Sequence, residues 1–377
     1  MQIVHLSTGH LGGAGLAARR LNAGLHAAGV NSSFFALENP TYLPKKGEYQ
    51  IERSLIQRVE TGITTFASKR LTKDSLVTPI SANLVDREFL LSVSKDAETV
   101  FHIHNWFNIF SHSQLAELSR EFHMVLTLHD QRLFTGACHY SLGCQNFKKD
   151  CKRCPQLPRV FENIPSKTLD SDIDFSSVSF VTPSNWLMNL AKSSKMLQNS
   201  SGMVISNSFY GYESHVENRT SIGSTINVGF AAMDPKSWIK GGDLVNSLMA
   251  KQVNGDRFKF FALSDFEDYR DFWRNIDVLL VPSQADNSPN VIHESKLWGI
   301  PVIASDVGGI PELISSNFDG VIPAQEITVE RIESEIISKN LLRINLVERQ
   351  QVAATHKKLL DSSVPAHLEL YKSLLSK

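Results

Sequence analysis

Apolar residues follow two spacings along this chain. Short, almost uninterrupted apolar runs read as strands buried on both faces. Longer stretches with apolar residues every three or four positions read as helices. The first kind predicts strands at Gln2–Leu6, Thr99–Asn105, Val125–Asp130, Phe180–Thr182, Val204–Ser208, Ile226–Phe230, Val278–Val281 and Pro301–Ala304. The second predicts helices at Leu16–Ala28, with Leu21 and Leu25 on one side and Gly29 as stop, and at Ile51–Leu71. A third spans Pro289–Trp298, with Ser288 as N-cap, Pro289 at the first position and Gly299 as stop. Pro311 is placed to open another helix, and the tail from Arg331 to Lys377 is helical in pattern, carrying Leu359, Leu360, Leu368, Leu370, Leu374 and Leu375. Strands apolar on both faces, alternating with helices, predict parallel, doubly wound sheets.

The polar run Phe209–Ser224, with Gly211, Asn218 and Gly223, reads as a domain boundary. It divides the chain into 1–208, 209–355 and a last helix, 356–377. At 377 residues there is material for two domains. Charged residues make up 20% and the net charge is −1, so bulk charge gives no case for a nucleic-acid partner. No apolar run approaches the roughly 20 residues that cross a bilayer. The N-terminus Met1–His5 has neither the basic start nor the apolar core of a signal peptide, which predicts a cytoplasmic protein.

In doubly wound folds ligands bind beyond the carboxyl ends of the strands, and the chemistry-bearing residues gather there. Asp286 follows Val278–Val281, and Glu294 lies in the helix after it. Backbone N–H groups at that helix start, around Ser288 and Asn290, suit a phosphate, and Glu294 suits a ribose diol; Glu294 reads equally well as a solvated helix residue. Gly9, Gly12, Gly13 and Gly15 follow the first strand without forming G-x-G-x-x-G, so a plain tight turn serves as well as a ligand loop. His102, His104 and His129 stand at the ends of two strands, where an imidazole serves as acid, base or sugar ligand, or is satisfied by a loop carbonyl.

All four cysteines, Cys138, Cys144, Cys151 and Cys154, fall in one stretch, the last pair spaced C-x-x-C. Three readings stay open: a structural zinc held by four thiolates, disulfides, or packed free thiols. Four thiolates leave no coordination position for water, so such a zinc would not be catalytic. No convincing Asp-x-Asp metal motif lies in a loop, so catalysis need not use a divalent metal.

From Asp277 to Leu313 the chain resembles the nucleotide-sugar site of retaining GT-B glycosyltransferases of family four. Their pattern is Glu, seven residues, Glu, then Gly-Gly-x-Pro-Glu; here Asp286 and Glu294 hold that spacing and Gly308-Gly309-Ile310-Pro311-Glu312 follows. The stretch from Thr127 to Pro155 resembles a subgroup from bacterial capsule, O-antigen and exopolysaccharide synthesis. The resemblance implies two Rossmann-like domains across a cleft, the last helix returning to the first domain. It implies a UDP- or GDP-sugar donor and a saccharide or lipid-linked acceptor, with peripheral contact at the inner membrane face. By the same resemblance Asp286 lies near the donor sugar, Glu294 on the ribose, Gly12-Gly13 at the cleft, His129 on the donor sugar and His104 near the acceptor. Lys240 would neutralise the diphosphate, with Asp286 and His129 as its catalytic companions. The chain departs from the family after Gly229, where Phe230 replaces an Arg and leaves Lys236 as a stand-in charge. Two alternatives remain: a GT-B nucleotide-sugar epimerase, and a non-catalytic GT-B scaffold with a zinc knuckle. Ile51–Leu71 is basic and amphipathic, which suits either an anionic membrane surface or an ordinary surface helix.

Overall fold

A computed structural model describes residues 1–37, 45–71, 76–78, 81–95, 98–170, 173–217, 225–250, 257–315 and 317–376. The chain forms two compact units, residues 1–211 with 362–377, and residues 212–361. Asn218 and Gly223 of the expected linker lie outside the described residues.

The first unit holds seven strands, β1 (Gln2–Ser7), β2 (Asn31–Ala36), β3 (Glu48–Gln50), β4 (Thr99–Asn105), β5 (His123–Thr127), β6 (Ser179–Thr182) and β7 (Ser201–Val204). They pair in parallel in the order β3-β2-β1-β4-β5-β6-β7. The burial of every residue of β1, and of all of β4 but Asn105, explains the uninterrupted apolar pattern. Ser184 caps Asn185–Lys192 by accepting from the Leu187 backbone N–H. Ser363–Leu375 lays Leu370, Tyr371 and Leu374 against Ile3, Leu21, Leu25, Val100, Val125 and Val181. Each such buried side chain is worth about 1.5–3 kcal/mol. The helix Gly12–Ala27 lies so close that a Cβ on Gly24 would meet Val364 at 2.6 Å.

The second unit is a parallel sheet of β8 (Ile226–Phe230), β9 (Phe258–Ala262), β10 (Val278–Val281), β11 (Val302–Ser305) and β12 (Gly320–Ile322), ordered β12-β11-β10-β8-β9. Each sheet reverses its strand order at one point, β1/β4 in the first unit and β8/β10 in the second, the places where doubly wound sheets open a crevice.

Several boundaries differ from expectation. The helix after β1 begins at Gly12, so Gly12 and Gly13 form its first turn rather than a loop before it. The helix expected from Ile51 starts at Leu55. The strand expected at Val125–Asp130 ends at Thr127, leaving His129 beyond it, and the one expected at Val204–Ser208 ends at Val204. The helix after β10 is Asn290–Leu297 with Pro289 in the cap position, so Ser288 makes no capping bond. Pro311 opens only a short 3-10 turn, Ile310–Leu313. The tail divides into Val329–Ser338, Leu346–Asp361 and Ser363–Leu375. Among the described residues no helix is long and apolar enough to cross a membrane.

Candidate functional site

In the second unit the loops after β8 and β10 meet at the strand-order reversal. The first ends in a 3-10 turn, Trp238–Lys240, and the Lys240 Nζ donates to Asp286 Oδ2 at 2.5 Å. Asp286 is buried and Lys240 partly exposed, so the pair offers a cation at the mouth of the crevice with its countercharge beneath. Three backbone arrangements hold it. The Gln284 N–H donates to the Ile239 carbonyl at 2.8 Å. Gly241 is left-handed (φ +79°) and sits where a Cβ would meet the Pro282 carbonyl oxygen at 2.3 Å. Gly308 (φ +62°) sits where a Cβ would meet the Asp286 carbonyl oxygen at 1.8 Å, and the Gly309 N–H donates to that same oxygen at 3.0 Å. The Gly-Gly pair therefore exists because the loop lies flat on the backbone of Asp286; any side chain at 308 displaces it.

Glu294 is half-buried on the helix that starts just past this crevice, four residues after Asn290. Ser288 packs its Oγ against His293 Nε2 at 3.2 Å, and His293 Nδ1 meets His356 Nε2 at 2.9 Å. The seryl hydroxyl is thus tied to a buried histidine pair reaching into Leu346–Asp361. Phe230, in the place of the missing arginine, is buried in the core of the unit and supplies no charge. Lys236 is exposed in the loop before Lys240.

The first unit gathers histidines. His5 on β1, His102 and His104 on β4 and His367 on the last helix are buried, and His129 is half-buried past β5. His5 Nδ1 meets His104 Nε2 at 3.0 Å, and His104 Nδ1 meets His129 Nε2 at 3.4 Å. His102 is held between Tyr371 Oη at 2.6 Å and Thr127 Oγ1 at 2.7 Å. Burial first, and neighbouring imidazoles second, push His102 and His104 well below the ordinary histidine range and His5 down to about 3. Burial lowers His129 to about 4 against the pull of Asp130. These rings are neutral at pH 7. Burial raises the Asp130 carboxyl, but Arg132 and His139 outweigh it and leave it below its usual value. Arg132 bridges Asp130 Oδ2 at 2.7 Å and Asn105 Oδ1 at 2.9 Å. His104, His129, Asp130 and Arg132 line a cavity of about 40 Å³. Gly15, one helical turn beyond Gly12 and Gly13, packs where a Cβ would meet the Gly9 carbonyl oxygen at 2.6 Å, which fixes that helix against its loop.

The four cysteines are free thiols. Burial and their mutual proximity raise the Cys138 and Cys151 thiols, Cys151 to about 12, while the bond from Cys138 lowers Cys154 to about 7. The Cys151 thiol donates to the Thr135 carbonyl at 3.1 Å. Among the described residues the set of three ligand atoms within 4.8 Å is His5, His102 and His104, not cysteines. Cys138 bonds to Cys154 and Cys151 to a carbonyl, and among the described residues no three of these sulfurs lie within 4.8 Å of one another, so the expected four-thiolate zinc site gains no support here.

Comparison with known proteins was decisive for the second unit. Residues 232–338 match the family model for glycosyl transferases group 1. The whole chain has the GT-B fold of these enzymes. Sucrose-phosphate synthase from Thermosynechococcus elongatus superposes with a TM-score of 0.63 over 100% of both chains at 13% identity. The Anabaena protein HepE, solved in complex with UDP, gives 0.56 over 99% of this chain and 100% of its own at 14% identity. WaaG, a glycosyltransferase involved in lipopolysaccharide biosynthesis, gives 0.59 over 98% and 99% at 12% identity. In sequence, an uncharacterized 41.2 kDa protein in the cps region of Klebsiella pneumoniae is 31% identical over 81 residues, 22% of either chain.

Within the matched segment 232–338 the structure joins Lys240 to Asp286, residues 46 positions apart. The reading from sequence missed the Ser288–His293–His356 and His5–His104–His129 bonds. His293 sits beside Glu294 at an i, i+3 distance from Asn290, a visible hint. Nothing local in the sequence announces that β1 carries His5 beside His104, because that pairing is made by strand order.

Proposed function

We propose that the protein is a retaining glycosyltransferase. It moves a sugar from a UDP- or GDP-sugar to a saccharide or lipid-linked acceptor in bacterial surface polysaccharide synthesis. The observation that carries this reading is the Lys240–Asp286 pair at the β8/β10 reversal, held by the Gly308-Gly309 loop and followed by the helix bearing Glu294. A cation at such a crevice suits a diphosphate, and stabilising the diphosphate as it departs is electrostatic catalysis. Lys240 takes that role, with Lys236 as the second charge in place of the arginine lost at Phe230. Ser288 and Asn290 bring the helix start to the phosphates, and Glu294 holds the ribose diol. Asp286 orients Lys240 and stands by the donor sugar; in the first unit His129 is a sugar-binding residue, and Gly12 and Gly13 let backbone approach a substrate. No carboxylate stands free as a nucleophile in this assignment, so retention proceeds by attack on the face the diphosphate leaves.

The complexes of HepE with UDP and with UDP-glucose support the donor class. WaaG and the cps-region protein support the surface polysaccharide setting. For the acceptor, the first unit has a cavity of about 350 Å³ lined by Trp106, Thr78, Ser81, Ser111, Arg132 and Lys167. Hydroxyls around an indole suit a sugar ring. A lipid-linked acceptor brings the membrane into play. On the Leu55–Leu71 helix Leu55, Val59, Ile63 and Phe66 form one exposed stripe, with Arg58 also exposed. That is the face a peripheral helix lays on an anionic inner-membrane surface.

The deciding experiment adds UDP, GDP and their sugars to the purified protein. A nucleotide diphosphate raises the melting temperature by mass action, and its sugar conjugate is consumed only slowly until an acceptor saccharide is added. Isomerised donor with no acceptor identifies an epimerase instead. No melting shift with any nucleotide diphosphate rejects the donor site.

A further inference from the structure

The two ring-to-ring hydrogen bonds in the first unit carry directional information. A bond between two imidazole nitrogens holds one proton, and a neutral ring owns one proton in all. His104 is neutral and bonded at both nitrogens, so it donates once and accepts once. Only two arrangements remain for His5, His104 and His129. In one, all protons sit on Nδ1: His5 donates to His104, which donates to His129 Nε2. In the other all sit on Nε2, and His129 donates inward to His104, which donates to His5.

His5 Nε2 decides between them. It is buried with no hydrogen-bond partner. In the second arrangement it is a buried N–H with no acceptor, which folded proteins almost never keep. In the first it is a bare lone pair, the cheaper orphan. We infer that His5 and His104 are positioning residues that fix His129 as the Nδ1–H tautomer, with its Nε2 committed as an acceptor. His129 then has no lone pair at Nδ1 to take a proton, and its Nε2 lone pair is occupied. It is therefore not a general base. That last step rests on the proposed glycosyl transfer; the tautomer does not.

The same rings place one nitrogen each of His5, His102 and His104 within 4.8 Å, a spacing open to a metal. The bonds argue against that use. His102 spends both nitrogens on Tyr371 and Thr127, and His104 spends both on His5 and His129, which leaves His5 Nε2 as the one lone pair of the three rings without a partner.

Nitrogen-15 correlation spectra of histidine-labelled protein at pH 7.5 test this, with His129 assigned by loss of its signals in His129→Asn. The expectation is Nδ1–H for His5, His104 and His129, by roughly an order of magnitude over the other tautomer. In His104→Leu the donor to Nε2 is gone, and His129 should shift toward the Nε2–H form that free histidine prefers. An Nε2–H signal for His129 in the wild type overturns the inference, whether or not His104→Leu folds. So does an unchanged His129 tautomer in that variant, or a stoichiometric zinc, nickel or copper retained by the wild type and lost with His104. If the tautomer holds but no nucleotide-sugar is used, the proton arrangement stands and the proposed reaction falls.

Discussion

At the strand ends of the seven-stranded sheet neutral imidazoles predominate, beside one Asp130–Arg132 ion pair, while the five-stranded sheet carries two Lys–Asp ion pairs and one histidine pair. His5, His104 and His129 bond one another, His102 bonds two hydroxyls, and burial lowers the pKa of all four. Lys240–Asp286 and Lys296–Asp319 are ion pairs. The difference follows from the chemistry each crevice suits. A neutral network orients hydroxyls and sets hydrogen-bond direction at little desolvation cost. A diphosphate needs cations, and a cation inside a protein needs a countercharge.

Acid is the sharpest way to separate the two. Burial lowers His5 to about 3 and His112, His129, His139 and His367 to about 4, all in the first unit, whereas His356 in the second is lowered to about 4. Each of these native pKa values lies below the unfolded value near 6.5, so between the two the unfolded chain binds more protons and stability falls with falling pH. From pH 7.5 to pH 5 the first unit should lose on the order of 5 kcal/mol, and the second far less. Peptide-resolved hydrogen exchange should show strands β4 and β5 opening before β10 and β11. Equal loss in both units would erase the comparison.

Removing the exposed cation comes next. Lys240→Ala should lower turnover by roughly two to four powers of ten with the fold retained, as other preorganised electrostatic groups do. Wild-type turnover would move the leaving-group role to Lys236.

The buried pair should respond in stability rather than rate. Lys296 donates to Asp319, whose other bonds come from the backbone N–H groups of Val302 and Ser315. Lys296→Met strands a buried carboxylate, and urea unfolding should show a loss of about 3–5 kcal/mol in the second unit. A loss below 1 kcal/mol would mean Asp319 takes up a proton or reaches water.

The smallest effect belongs to Glu294→Gln, which keeps shape and removes charge. Nucleotide affinity should fall by about tenfold, the difference between charge-assisted and neutral hydrogen bonds. Calorimetry giving unchanged affinity for both UDP and GDP would remove Glu294 from the ribose.

Sequence alone determined the strand–helix alternation, the parallel sheets and the Asp286–Glu294 spacing with its Gly-Gly loop. Those signals are local: an apolar run buried on both faces, a helix period, a glycine where no Cβ fits. Boundaries slipped where local signals compete, as at Ser288, whose hydroxyl goes to His293 instead of capping the helix. The tertiary structure alone decided which distant groups meet. Lys240 reaches Asp286 because β8 lies beside β10. His5 reaches His104 because β1 lies beside β4, and Tyr371 reaches His102 because the last helix packs on that sheet. It also put Cys138 against Cys154, which C-x-x-C spacing cannot settle, since these sulfurs come together from separate turns. Strand order and helix docking are set by burial summed over a whole sheet, and no window of sequence contains that sum.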